Sequence, residues 1–144
     1  MALGVLAIVI GAIFVFQAIE KNNWITTQMQ LEKVTVGLTP QQIQSGEVVD
    51  NAAKAQAAAD KIRADRRKIA PTYNDLLGGG KYDPTNLQQL KYTQALNMEN
   101  SLNIAVLSFG VTTEILGTGA FMIITGLGLG LTGLVLFRLP VKAS

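Results

Sequence analysis

Two long apolar tracts enclose a polar middle segment. Residues 1–19 carry no charged side chain, and between Asn100 and Arg138 the one charged side chain is Glu114. A helix of about 20 apolar residues is long enough to cross the hydrocarbon core of a bilayer, which is ~30 Å thick. The pattern therefore predicts an all-α protein in which two transmembrane helices flank a small extramembrane helical bundle.

The second apolar tract, residues 102–139, is too long for a single crossing. Its 38 residues would reach about 57 Å as a helix. A charge at the bilayer centre costs a few kcal/mol, so Glu114 is expected near the membrane surface, with a flexible point at residues 117–119. We therefore expect transmembrane helix 1 at 1–20, an extramembrane helical domain at 21–101, an apolar juxtamembrane helix at 102–115, transmembrane helix 2 at 116–138 and a short tail at 139–144.

Helix signals divide the middle segment further. The first helix has no breaker until about Gly37, and Thr39-Pro40-Gln41-Gln42 has the pattern of a capping box, which predicts a short helix at 40–45. An alanine-rich helix is expected from Glu47 to Ile69, a loop at 73–84, and a further helix from about Leu87 toward the membrane. Small and apolar residues at heptad spacing predict a seam on the alanine-rich helix that faces another helix: Val48, Ala52, Ala55, Ala59, Ile62 and Ile69.

Composition narrows the chemistry. Cysteine and histidine are both absent, which removes disulfides and the usual ligands of zinc and haem, so no cofactor and no metal are expected. A net charge of +2 gives no reason to expect a nucleic-acid partner. No nucleophile and base, and no pair of positioned carboxylates, can be assembled, so we do not expect an enzyme.

Charges beside the apolar tracts give the expected orientation. Arg138 and Lys142 follow the second tract directly, which favours both termini in the cytoplasm and residues 21–101 outside it, in a bacterial or archaeal cell membrane. The inverted arrangement stays open, because the basic residues of the middle segment would also suit the cytoplasm. The first tract lacks a basic leader and a small-x-small cleavage site, so we interpret it as a retained anchor.

Small residues recur every seven positions in both apolar tracts. Such spacing lets the backbones of membrane helices approach closely. Two interpretations remain open: the tracts pack on each other within one chain, or the run Gly126, Gly128 and Gly130 offers a second face to other copies or subunits. The residues predicted for helix packing are Gly4, Gly11, Gly119, Gly126, Gly130 and Gly133.

A second group of residues is predicted to contact lipid or another subunit. Glu114 is an acid in an apolar tract, a basic cluster ends the alanine-rich helix, and Trp24 suits the headgroup layer. The simpler interpretation of the basic cluster is a solvated helix end whose cations complement the helix dipole. The residues of this group are Trp24, Arg63, Arg66, Arg67, Lys68 and Glu114.

These features favour a structural or accessory integral membrane protein. It would be a small subunit of a membrane complex or a self-assembling oligomer, with lipid, other membrane subunits or copies of itself as partners. A channel or transport element, and a sensor-like ligand-binding membrane module, are the alternatives.

Overall fold

The computed structural model describes residues 2–138, and the predicted tail at 139–144, with Lys142, lies outside the described residues. The described chain forms two compact units. The paired-helix unit comprises residues 2–23 and 111–138, and the middle unit comprises Trp24–Gly110. The helices are α1 (Ala2–Leu31), α2 (Pro40–Gln44), α3 (Ala52–Arg67), α4 (Tyr73–Leu77) and α5 (Leu87–Arg138). The prediction of an all-helical chain with two long apolar helices is confirmed.

Both long helices contribute to both units. α1 continues past Trp24 without a break and ends at Leu31, six residues before Gly37. α5 is a single helix of 52 residues, about 78 Å long. Gly117 and Gly119, where a flexible point was predicted, do not interrupt the helix.

The start of α3 differs from the prediction. The helix begins at Ala52 rather than Glu47, because the side chain of Asn51 accepts a hydrogen bond from the backbone N–H of Lys54 and caps the helix. Residues 47–50 are not helical, and the N–H of Val49 donates to the carbonyl oxygen of Val34 at 2.7 Å. The valine side chain is fully buried, so this segment belongs to the core and not to the helix.

Capping signals explain the short helices. α2 has the predicted capping box between Thr39 and Gln42. The predicted loop at 73–84 instead contains α4, which has the same reciprocal capping between Thr72 and Asp75 and ends at Gly78, where φ is +55°. A Thr-x-x-Asp pattern is therefore the signal that the sequence interpretation overlooked.

The core of the middle unit is built mainly from small side chains. Ala55, Ala58, Ala59 and Ile62 on α3 pack with Val49 and with Leu102 and Ala105 on α5. The seam prediction was right for Ala55, Ala59 and Ile62. It was wrong for Ile69, which is exposed because α3 ends at Arg67, and it missed Ala58.

Gly37 allows the chain to pass closely over α3. Its φ is +83°, and a Cβ at this position would lie 2.7 Å from the Cα of Ala58 and 2.8 Å from its nitrogen. Real Cβ atoms do not approach backbone atoms this closely. Glycine is therefore required here both by the backbone conformation and by the contact.

We predict that Gly37→Ala destabilises the middle unit much more than Gly46→Ala. Both glycines have nearly the same φ, +83° and +80°, but nothing lies within 4 Å of a Cβ at residue 46. The left-handed conformation costs a non-glycine residue roughly 1–2 kcal/mol, and the clash at residue 37 adds about 1–3 kcal/mol. Thermal unfolding of the full chain in detergent, followed by circular dichroism, measures the difference. Equal melting temperatures for the two variants would contradict the close contact with Ala58.

Candidate functional site

At four glycines the interface between α1 and α5 in the paired-helix unit brings backbone against backbone, and the side chains of Ile8, Val15 and Ile123 pack beside these contacts. A Cβ on Gly11 would lie 2.6 Å from the carbonyl oxygen of Gly119, and one on Gly119 would lie 2.7 Å from the carbonyl oxygen of Gly11. Gly4 and Gly126 have the same reciprocal relation, at 2.6 Å in both directions. At such distances Cα–H groups approach carbonyl oxygens, a weak attraction that recurs between closely packed helices.

The contacts define an antiparallel register. Moving seven residues along α1, from Gly4 to Gly11, corresponds to moving seven residues back along α5, from Gly126 to Gly119. The next step brings Ala18 level with Thr112, and both side chains are buried. The same register places Phe16 level with Glu114.

The structure thus brings four of the predicted packing glycines together within one chain. Gly130 contributes its backbone nitrogen, 2.8 Å from a Cβ on Gly4, although a Cβ on Gly130 itself would meet nothing within 4 Å. Gly133 is half-buried on α5. Of the three residues predicted for a second face, Gly126 and the backbone of Gly130 lie against Gly4 of the same chain, and Gly128 has open space around it.

Large apolar side chains point away from this interface. Only 17% of the most apolar 18-residue stretch of α1 is buried, and only 6% of the corresponding stretch of α5. The most exposed of these side chains include Leu3, Phe16, Phe121, Ile124 and Phe137. Both helices are long and apolar enough to cross a membrane.

The interface becomes polar at one end. The hydroxyl of Thr112 donates to the side-chain oxygen of Asn22 at 3.4 Å. A crevice of about 260 Å³ opens here, lined by Ala18, Ile19, Asn22, Asn23, Thr112, Thr113 and Leu116. Glu114 is exposed on the next part of α5.

The middle unit contains a buried ion network that the sequence interpretation missed. One carboxylate oxygen of Glu99 accepts a hydrogen bond from Nε of Arg63 at 2.6 Å, and the other accepts one from Nε of Arg66 at 2.9 Å. Arg66 also donates to the hydroxyl of Tyr92, and its guanidinium lies 4.7 Å from the centre of that ring. Arg63 also forms an ion pair with the exposed carboxylate of Asp60.

Electrostatics keeps Glu99 ionised. Burial alone would raise the pKa of this carboxyl, but the hydrogen bonds from Arg63 and Arg66 outweigh it, and the pKa falls below its ordinary value. The hydrogen bond between Arg63 and Glu99 also raises the pKa of Arg63. Two guanidinium groups on one carboxylate form a rigid structural centre, and residues 2–138 contain no group of three side chains suited to hold a metal ion.

The basic cluster therefore has two parts. Arg66 is buried and Arg63 half-buried, and both bind Glu99, so these two side chains face the interior rather than a lipid surface. Arg67 is exposed, and Lys68 is exposed and pairs with Asp65 at 2.7 Å. For Arg67 and Lys68 the prediction of a lipid or subunit contact stays a prediction.

Trp24 and Glu114, the other predicted contact residues, are both exposed in the described chain. Their predicted contact with lipid or another subunit also stays a prediction.

Heptad spacing is the signal that could have found the network. Arg66 lies seven residues after Ala59, on the buried seam of α3, and Glu99 lies seven residues after Tyr92 on α5. A charged residue that continues a buried seam needs an opposite charge on the facing helix.

Comparison with family models, with curated proteins and with solved structures finds no match for this chain.

We predict that Gly11→Ile moves α1 and α5 apart, whereas Gly117→Ile does not. A side chain at residue 11 would begin 2.6 Å from the oxygen of Gly119, closer than the ~3.3 Å that a carbon–oxygen contact requires. Residue 117 has nothing within 4 Å. Spin labels on cysteines introduced at the exposed positions 13 and 121 report the helix separation by pulsed electron paramagnetic resonance. The expected increase for Gly11→Ile is about 1 Å or more. An unchanged distance would show that the helices are not held in backbone contact.

We predict that Glu99→Gln destabilises the middle unit by roughly 3–5 kcal/mol, because it leaves the buried charge of Arg66 without a counter-ion. Asp60→Asn is the matched control, since this exposed partner of Arg63 is worth at most about 1 kcal/mol. Denaturant titration of the full chain in detergent measures both changes. Similar effects of the two substitutions would contradict the buried network.

The pH dependence of the same measurement gives a second test. The pKa of Glu99 is lower in the folded chain than its ordinary value of 4.5, so the unfolded chain binds more protons in this range. The stabilisation that ionised Glu99 contributes is complete at neutral pH. It is lost as the pH falls below 4.5 and passes through the lowered pKa that Glu99 has in the folded chain. Glu99→Gln should remove this part of the acid sensitivity.

Proposed function

We propose that this chain is an integral membrane protein with a structural or accessory role. In this proposal, residues of α1 and of the second half of α5 cross the bilayer as an antiparallel pair and flank a small extramembrane helical bundle. The protein acts by packing against lipid and against other membrane helices, and its role requires no catalytic step.

The observation that carries this proposal is the distribution of side-chain size around the two helices. Glycines make the closest contacts with the partner helix, where Gly11 meets Gly119, and most large apolar side chains of the two helices are exposed on the outside. The core helix of a soluble protein has the opposite arrangement, with its large apolar side chains buried. In a bilayer the outward residues are solvated by lipid, and close packing of small residues holds helices together.

The end of the helix pair supports the same placement. Glu20 and Lys21 are exposed and are followed by Trp24, whose amphipathic ring suits the headgroup layer. Glu114 lies one turn from the level of Glu20 in the register of the helix pair, close enough for its carboxylate to reach water. The polar crevice at Asn22 and Thr112 lies at this end.

A packing role is favoured over a channel within one chain. The backbones at Gly11 and Gly119 approach so closely that they leave no space for an ion between the two helices. We propose lipid and other membrane helices as the partners, with both termini in the cytoplasm and residues 21–101 outside it.

We predict three different labelling patterns for single cysteines introduced into this cysteine-free chain. In intact cells, a membrane-impermeant maleimide should label Lys81→Cys at once and Arg138→Cys only after permeabilisation. Ile13→Cys should resist labelling in both conditions, because a thiol in hydrocarbon does not ionise.

The outcomes separate placement from orientation. Fast labelling of Ile13→Cys in sealed membranes, or release of the chain by an alkaline wash without detergent, would contradict membrane insertion. Exchange of the Lys81→Cys and Arg138→Cys patterns would reverse the orientation and leave the insertion intact.

A further inference from the structure

A second heptad stripe runs along α5 on the side away from α1. Every residue of this outer stripe is exposed in the paired-helix unit. One set of positions has β-branched residues and the other contains residues of different sizes, from glycine to phenylalanine, a surface that can accept another helix. The outer stripe comprises Val111, Glu114, Thr118, Phe121, Thr125, Gly128, Thr132 and Val135.

α1 carries a complementary surface. A shallow apolar groove of about 550 Å³ runs along its outward side, lined by Ile8, Val9, Ala12, Ile13, Phe16, Gln17 and Glu20. Its small residue, Ala12, leaves a depression, and Gln17 is the one polar side chain between Ala2 and Ile19. The groove thus combines an apolar depression with a single hydrogen-bonding group.

The register of the helix pair places matching features at the same depth. Phe121, which is 68% exposed, is level with Val9 and the groove beside Ala12. Glu114 is level with Phe16, one residue from Gln17, or about 1.5 Å along the axis. The side chains of Gln17 and Glu114 make no hydrogen bond or ion pair with another described residue.

We propose that the outer stripe of α5 binds the α1 groove of a second copy of this chain. In copies inserted in the same direction, equivalent residues lie at the same depth in the bilayer. Phe121 of one copy therefore meets the depression at Ala12 of the next, and the side-chain amide of Gln17 donates to the carboxylate of Glu114. This inference rests on the membrane placement proposed above. The contact is head-to-tail, so it generates a ring or a row of copies rather than a closed dimer.

Charge favours this pairing over a symmetric one. A two-fold contact between the outer stripes of two α5 helices would place Glu114 against Glu114, where like charges repel. The groove of α1 instead offers the neutral donor of Gln17. A polar hydrogen bond between membrane helices contributes modestly to association but fixes the register.

Disulfide formation catalysed by the lipid-permeant oxidant copper–phenanthroline, between two single-cysteine populations distinguished by size tags and reconstituted together in lipid, tests the contact. We expect Gln17→Cys to cross-link with Glu114→Cys, and Val9→Cys to cross-link with Phe121→Cys. Val9→Cys with Glu114→Cys is the matched control, because these levels differ by seven residues or about 10 Å, too far for a disulfide.

A substitution without cysteine gives an independent measure. Gln17→Leu keeps the volume and removes the donor, so the dissociation constant between copies, followed by energy transfer in liposomes, should rise roughly three- to thirtyfold. Glu114→Leu should have the same effect, and Glu114→Gln a smaller one because the amide oxygen still accepts the hydrogen bond.

Each alternative outcome contradicts either the proposed contact between copies or the proposed membrane placement. Cross-linking of Glu114→Cys with itself in preference to Gln17→Cys would establish the symmetric contact and refute ours. No cross-link for either pair, in membranes where Ile13→Cys resists labelling, would assign the outer faces to lipid or to a different partner and leave the membrane placement standing. Release of the chain without detergent would refute both proposals together.

Discussion

Contact between glycine backbones is the constraint on which the paired-helix unit depends. Gly4, Gly11, Gly119 and Gly126 have no side chain, so the two helices approach until carbonyl oxygens lie where a Cβ would otherwise be. The short distance multiplies dispersion and Cα–H to oxygen contacts along the whole interface. Glycines occupy the closest contacts between the helices, and most of the large apolar side chains are exposed on the outside.

The middle unit follows the same principle with alanine in place of glycine. Ala55, Ala58 and Ala59 bring α3 close to its neighbours, and Gly37 passes over Ala58 at a distance that excludes any side chain. A core of small residues excludes water without leaving room for long charged side chains to adjust. Arg66 is buried at the end of this seam, and Glu99 and Tyr92 satisfy its charge and its hydrogen-bond donors.

The sequence predicted most of the elements and half of the contacts. The apolar tracts identified both long helices, and the heptads of Gly4 and Gly119 identified the packing faces, because period and residue size alone determine them. The start of α3 was misjudged, since Val49 pairs with Val34 across distant sequence. Glu99 was missed for the same reason: its role depends on Arg66, 33 residues away, which only the folded chain brings near.

The alanine-lined core of the middle unit has a thermodynamic consequence. The heat capacity change of unfolding scales with the apolar area exposed, and alanine side chains hide little of it. The free energy of unfolding of this region should then vary only weakly with temperature, with a broad and shallow maximum.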